Sequence, residues 1–370
     1  MSISQNVVVP ALAGRTDVKV SLSELQSCGV SRLVADNPML RILRVDHASV
    51  ACDARNLLDL AMKDKSVRSV VVELANHAFV AYMLKEGVTS FVHHSFIGKL
   101  WQRVKDGPCE VDRHDLVYSV DEPLAGLATT RLVVVFSSMA GKIRTSSLMR
   151  HFEQNFATIQ KYLPAGTAVL RIADFGGVVG GYYMNTLGLP ETENHVQGLI
   201  ADVAGRFRVD SRDVVLYGAS KGGSAALYHG LLGNYPVVAA DPILADEYYI
   251  RTFNDSHFTV GVFPEDKKTK FGRLAASTDL DRLPPIAILC SKRSPQYPYV
   301  METLGEPMRS HVAFFDSRHA GIKTHPDVSP KTLNLAVMLL NMQFYRLPIA
   351  GGMHVVDEVS YQEDSGSRAI

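Results

Sequence analysis

The pentapeptide Gly218-Ala219-Ser220-Lys221-Gly222 has the G-x-S-x-G spacing of a serine nucleophile held in a tight turn. The apolar run 214–217 before it reads as a buried strand. The small residues after it, Gly223, Ser224, Ala225 and Ala226, read as a helix packed close beneath that strand. A nucleophile at such a strand-to-helix tip sits in a strained backbone conformation, where neighbouring side chains would collide, and glycines on both sides remove that collision. The helix start also aims amides and a partial positive charge at the serine. The bland alternative is a glycine-rich turn that cradles a phosphate. A Walker-type loop is disfavoured because the GxxxxGK[ST] spacing is absent.

An activated serine needs a base, and in this arrangement the base follows the last strand. His319, in Asp316-Ser317-Arg318-His319-Ala320-Gly321, lies just past the apolar run 311–315 and is the expected base, with His325 as its rival in the same loop. The acid is expected in the loop after the penultimate strand. The usual loop, Ser291-Lys292-Arg293-Ser294-Pro295-Gln296, holds no carboxylate. Asp241, at the end of the run Val237–Ala240, is preferred over Asp246, Glu247 and Asp316. A Ser-His dyad, its imidazole oriented by a carbonyl or by Gln296, is the alternative. The oxyanion hole is expected from the Lys221 amide and from the loop Ser137-Ser138-Met139-Ala140-Gly141, with Ser138 and Met139 as donors. Asp174 and the segment Gly176-Gly177-Val178-Val179-Gly180-Gly181-Tyr182-Tyr183 follow another strand. The glycines permit close approach there, so Tyr182 and Tyr183 are expected to face substrate; the alternative is a structural turn with half-buried tyrosines.

These groups need a scaffold that brings strand ends together. From Arg131 onward, apolar strands at Arg131–Phe136, 168–172, 213–217, Val237–Ala240, Ile286–Cys290 and 311–315 alternate with helices, notably 195–207 and 222–230. Such alternation predicts an α/β fold with a mostly parallel sheet and helices on both faces, functional groups gathering at the carboxyl ends of the strands. A helix rich in Leu, Val and Met near Pro330 would close it. Residues 1–125 read as an accessory α/β region, with a strand at 69–74, a helix at 77–86 closed by Gly87, and a strand at 88–92. Residues 126–350 form the expected catalytic domain and 351–370 a tail, polar and frayed over 358–370.

Composition narrows the function classes. The 370 residues carry 38 Lys+Arg and 38 Asp+Glu, so no global field draws the chain to nucleic acid or an anionic membrane. No apolar run reaches the roughly 18 residues of a membrane span, and Met1 to Asn6 lack the start of a secretory signal. Cys28, Cys52, Cys109 and Cys290 show no CxxC spacing, which argues against a zinc site or a disulfide framework and fits a reducing cytoplasm. No cofactor and no metal are expected; the expected partner is a small-molecule or carrier-bound acyl substrate.

The combination Val135-Phe136-Ser137-Ser138-Met139, Arg171-x-x-Asp174 with Gly181-Tyr182-Tyr183, the stretch from Tyr217 to Tyr228 and Asp241-Pro242-Ile243 resembles the XcbB/CpsF-type proteins of capsular polysaccharide biosynthesis. It is also similar to the catalytic half of an accessory-secretion acetyltransferase-like protein. The resemblance covers roughly residues 130 to 345 and implies an α/β-hydrolase fold with Ser-His chemistry. It departs from the usual pattern at Ser294, where the acid would be expected. The leading expectation is therefore a serine hydrolase or acyltransferase acting on an ester or thioester. A non-catalytic binding protein of the same fold, serving polysaccharide or natural-product assembly, is the second.

Overall fold

The computed structural model describes residues 15–50, 56–123 and 126–356. Strands β1 (Asp17–Ser21), β2 (Ile42–Asp46), β3 (Phe79–Lys85) and β4 (Val88–His93) form a four-stranded sheet in the order β1-β2-β4-β3. Two expectations fail in this region. Residues 69–74 belong to the helix Lys65–Asn76, and most of 77–86 is strand β3. The valine run hides a helical period: Val67, Val70, Val71 and Leu74 turn to one buried face, and Asp64 caps the helix by accepting the Ser66 and Val67 amides. Glu86 and Gly87, with φ of 50° and 74°, make the two-residue turn of the β3–β4 hairpin, so Gly87 closes a hairpin and not a helix.

The second sheet holds nine strands: β5 (Glu110–Val111), β6 (Val117–Asp121), β7 (Arg131–Phe136), β8 (Thr167–Ile172), β9 (Val214–Ala219), β10 (Val237–Ala240), β11 (Ile286–Cys290), β12 (Ala313–Ser317) and β13 (Gly352–Val356). Their order is β13-β12-β11-β10-β9-β7-β8-β6-β5, and only the pairs involving β6 are antiparallel. Counted from β5, the first eight strands stand as 1-2-4-3-5-6-7-8 with the second antiparallel. That is the α/β-hydrolase fold. Strand pairing does not respect the boundary expected near 125, because β6 buries Val117 and Tyr118 against β8. Nor is 351–370 wholly a tail: Gly352–Val356 pairs in parallel with β12 as the edge strand. The frayed end expected at 358–370 lies outside the described residues, as do Met1 to Asn6 and Cys52. Cys28, Cys109 and Cys290 are free thiols. Among the described residues no helix is long and apolar enough to cross a membrane.

The central strands are apolar on both faces because helices cover both. Leu132, Val134 and Phe136 pack with Ala225, Ala226 and Leu227 of the helix Lys221–Gly233. Val133 and Val135 face the other way, toward Leu339, Leu340 and Phe344 of the closing helix Leu333–Phe344. The four-stranded sheet rests on segments at the carboxyl end of the large one. Val178, Val179 and Phe258 enter its core, and Val80 and Val92 pack with Phe152, Ala173 and Phe175.

Arg150 fastens this junction. Its buried guanidinium donates to the carbonyls of Ala81 (2.6 Å), Thr145 (2.8 Å), Ser147 (3.0 Å) and Val178 (3.1 Å), and burial pushes its pKa down to about 9. Arg150→Met keeps the bulk but takes the guanidinium from the Ala81 and Val178 carbonyls, while Thr145 and Ser147 keep a backbone amide. Urea unfolding is expected to show a loss of about 3 kcal/mol or more, from the desolvation cost of unpaired buried polar groups; a change under about 0.5 kcal/mol, the size of a neutral surface substitution, would refute the fastening role.

Candidate active site

Ser220 stands between β9 and the helix Lys221–Gly233 with φ 55° and ψ −120°, a conformation in which a non-glycine residue is held only by its surroundings. Here its amide donates to the Ala240 carbonyl at 2.8 Å. The flanking glycines are required by contact. A Cβ on Gly218 would lie 2.0 Å from the Gly222 carbonyl oxygen, and one on Gly222 would lie 2.3 Å from the Phe136 oxygen. The second contact brings the end of β7 against the start of the helix.

The histidine on Ser220 is His325, not the expected His319. His325 Nε2 lies 2.8 Å from Ser220 Oγ, and its Nδ1 lies 2.6 Å from Asp241 Oδ2. A carboxylate only accepts, so Nδ1 carries the proton, Nε2 accepts, and the serine hydroxyl donates to it. His319 lies in the loop below, where its Nδ1 accepts the Gly321 amide at 2.8 Å and its carbonyl accepts from Arg293 at 2.9 Å. Asp327 then ends the loop by accepting the Lys323 and Thr324 amides, which sets His325 as the first residue of the helix His325–Lys331.

Asp241 is buried at the end of β10 with φ 44°, its amide bound to the Leu289 carbonyl at 2.7 Å. The same Oδ2 that meets His325 accepts the Ser294 hydroxyl at 2.5 Å. Ser294 therefore occupies the loop position without a carboxylate and bonds Asp241 from there. The other carboxylates are engaged elsewhere: Asp246 pairs with Lys267 at 2.6 Å, Glu247 approaches Lys268 at 3.9 Å, and Asp316 accepts the Lys292 amide at 3.0 Å. Gln296 is buried, and its side-chain amide has no hydrogen-bond partner among the described residues, so it does not orient the imidazole.

Of the two donors expected after β7, Ser138 is spent. Its amide donates to Asn155 Oδ1 at 2.6 Å, while Asn155 Nδ2 returns a bond to Ser138 Oγ at 2.8 Å. The Ser137 amide donates to the Tyr183 hydroxyl at 2.9 Å. Met139 carries the first amide in this loop with no hydrogen bond among the described residues. The Lys221 amide, first in its helix, has no intrahelical acceptor.

Tyr182 and Tyr183 do not face a substrate space. Both are buried, and their rings are packed: Lys267 Nζ lies 3.2 Å from the centroid of Tyr182, and Phe136 meets Tyr183 edge-on. The glycines before them serve tight internal turns, which composition alone does not separate from an open loop. Beyond Ser294 and Asn155, sequence reasoning also missed His257. Its ring stacks on Tyr249 at 3.8 Å, and Tyr249 in turn meets His325 edge-on at 6.5 Å. Burial, helped by Lys267, His325 and Lys221, pushes the His257 pKa down to about 3 and keeps it neutral. Among the described residues no group of three His, Cys, Asp or Glu side chains is arranged to hold a metal ion.

No protein-family model matches the chain, and no curated protein matches its sequence. Solved structures do resemble it. Carboxyl esterase 2 of the mycorrhizal fungus Tuber melanosporum is similar with a TM-score of 0.44 and 14% identity, over 63% of this chain and 83% of that one. For the capsule O-acetyltransferase of Neisseria meningitidis serogroup A the values are 0.37 and 16%, over 66% and 83%. For a fluorophosphonate-binding serine hydrolase of Staphylococcus aureus they are 0.42 and 14%, over 61% and 92%. At these identities the likeness is one of fold alone.

The two histidines predict opposite outcomes. His325→Ala removes the only acceptor on Ser220 Oγ among the described residues and is expected to slow labelling of Ser220 by a fluorophosphonate probe about 1,000-fold or more. His319→Ala is expected to leave the labelling rate within about threefold, because that ring is not on Ser220. The reverse pattern would reinstate His319.

Proposed function

We propose that the chain is a serine-dependent acyl-transfer enzyme acting on an ester or thioester. The single observation that carries this reading is the hydrogen-bond chain from Ser220 through His325 to Asp241. Ser220 Oγ attacks the acyl carbonyl while His325 Nε2 takes its proton. Asp241 holds the imidazole in the tautomer that allows this and stabilises the imidazolium that forms. The Lys221 and Met139 amides receive the negative charge on the carbonyl oxygen. The C–O or C–S bond to the leaving group breaks as His325 returns the proton to it, leaving an acyl ester on Ser220. Water, or a hydroxyl or amine acceptor, then enters by the same steps in reverse.

A non-catalytic binder has no use for a serine held at positive φ against an imidazole and a buried carboxylate, since such strain is retained where the geometry is used. The chemistry of capsule assembly, acyl transfer onto a sugar hydroxyl among it, is one setting that this mechanism would serve. The test is turnover of p-nitrophenyl acetate and of an acetyl thioester, with and without an added polyol acceptor. Wild type is expected to release the leaving group and Ser220→Ala to fall by about 10,000-fold or more. Faster turnover with the polyol, and an acetylated polyol as product, assigns the acceptor. An inert wild type, unlabelled by fluorophosphonate, would sink the reading.

Ser294 supplies a finer test. Ser294→Ala removes one of the two bonds on Asp241 Oδ2 and is expected to lower kcat about 10-fold, with KM within about twofold, because an orienting partner acts on the chemical step. Ser294→Thr, which keeps the hydroxyl, should recover most of the rate; an unaffected Ser294→Ala would remove Ser294 from the site.

A further inference from the structure

We propose that Asp174 and Tyr183 are positioning residues that set both arms of the oxyanion hole, an inference that rests on the acyl-transfer reading above. The two amides assigned to the hole come from different strand ends, Lys221 after β9 and Met139 after β7. Strand pairing and the Gly222 contact bring the two segments together, but neither selects which amide after β7 stays free. A third segment, residues 174–183, is bonded to both.

The Lys221 side chain does not extend toward substrate. It runs into the interior, fully buried, and its Nζ lies 2.6 Å from Asp174 Oδ2. The same carboxylate accepts the amides of Gly181 (2.9 Å), Tyr182 (3.0 Å) and Tyr183 (3.4 Å), which closes the segment on itself. Gly180 makes room for the pair, since a Cβ there would lie 2.8 Å from both Asp174 Oδ2 and Lys221 Nζ. Tyr182 and Tyr183 adopt φ of 57° and 59° in the closed segment.

That closure delivers the Tyr183 hydroxyl to the other arm. It accepts the Ser137 amide at 2.9 Å and donates to the Ile172 carbonyl at 2.7 Å. The Tyr183 carbonyl accepts from His229 Nε2 at 2.9 Å, and His229 lies on the helix that Lys221 begins. With Ser137 held by Tyr183 and Ser138 held by Asn155, Met139 becomes the first free amide of its loop. The register of the hole is thus set from behind, by residues that touch neither substrate nor the Ser220–His325–Asp241 chain.

The experiment uses the full chain carrying Tyr183→Phe, which deletes one hydroxyl. The kcat for p-nitrophenyl acetate is expected to fall about 10- to 100-fold with KM within about twofold, the range for a misplaced oxyanion donor. Fluorophosphonate labelling of Ser220 should slow by the same factor, since the phosphonyl oxygen uses the same hole. The acid limb of the pH–rate profile should stay in place, because the base and acid are untouched. A purely structural role would lower Tm and leave the labelling rate of the folded protein unchanged. Asn155→Ala, which loosens the neighbouring Ser138 amide, should show the same kcat-only signature and serves if Tyr183→Phe does not fold. Wild-type labelling rates in the folded variants overturn this inference alone, whereas a wild type that neither labels nor turns over ester overturns the acyl-transfer reading and this inference together.

Discussion

The ion pair between Lys221 and Asp174 takes two full charges out of water and joins the helix after β9 to the segment after β8. Removing one partner of such a pair leaves an uncompensated buried charge at a cost of about 3–5 kcal/mol, so the two segments are locked together wherever the protein is folded. The lock also fits the residue after Ser220. In the proposed reaction the Lys221 amide faces the acyl carbonyl, while the Lys221 side chain runs into the interior and ends on the buried Asp174 carboxylate.

Several non-glycine residues near this pair have positive φ: Ser220, Asp241, Tyr182 and Tyr183. Each is held by specific bonds. Ser220 is tied to the Ala240 carbonyl, Asp241 to the Leu289 carbonyl, and the tyrosine amides to Asp174. Strain of this kind persists only when surrounding contacts over-determine it. Those contacts come from three strands, β8, β10 and β11, and the small sheet adds a further constraint by packing on residues 178, 179 and 258. Arg150 ties that sheet to the Val178 carbonyl directly.

The meeting of Asp241 with Ser294 follows from sheet geometry. β10 and β11 are parallel neighbours with Ala240 opposite Leu289, so the residues just beyond each strand lie side by side. A carboxylate leaving β10 and a hydroxyl from the loop after β11 can therefore meet, as Asp241 and Ser294 do. A carboxylate leaving β10 thus reaches the same side of the His325 imidazole as the loop after β11.

Much of this was legible in the residues themselves. The G-x-S-x-G spacing, the β-branched runs of β7, β9, β10 and β11 and the small residues after Ser220 record local demands, and local demands leave a local pattern. The valine-rich helix Lys65–Asn76 shows the limit of that pattern, since its β-branched residues match a strand by type and a helix only by spacing. What the chain order did not contain was which histidine arrives at Ser220, which oxygen of which acid meets it, and which amide after β7 stays free. His319 and His325 lie six residues apart in one loop, and the helix start that Asp327 sets at His325 is what separates them. Tyr182 and Tyr183 carry the same composition whether a glycine-rich segment opens outward or closes on Asp174. Those choices belong to the tertiary structure because each is made by a bond between residues from about 17 to 105 positions apart.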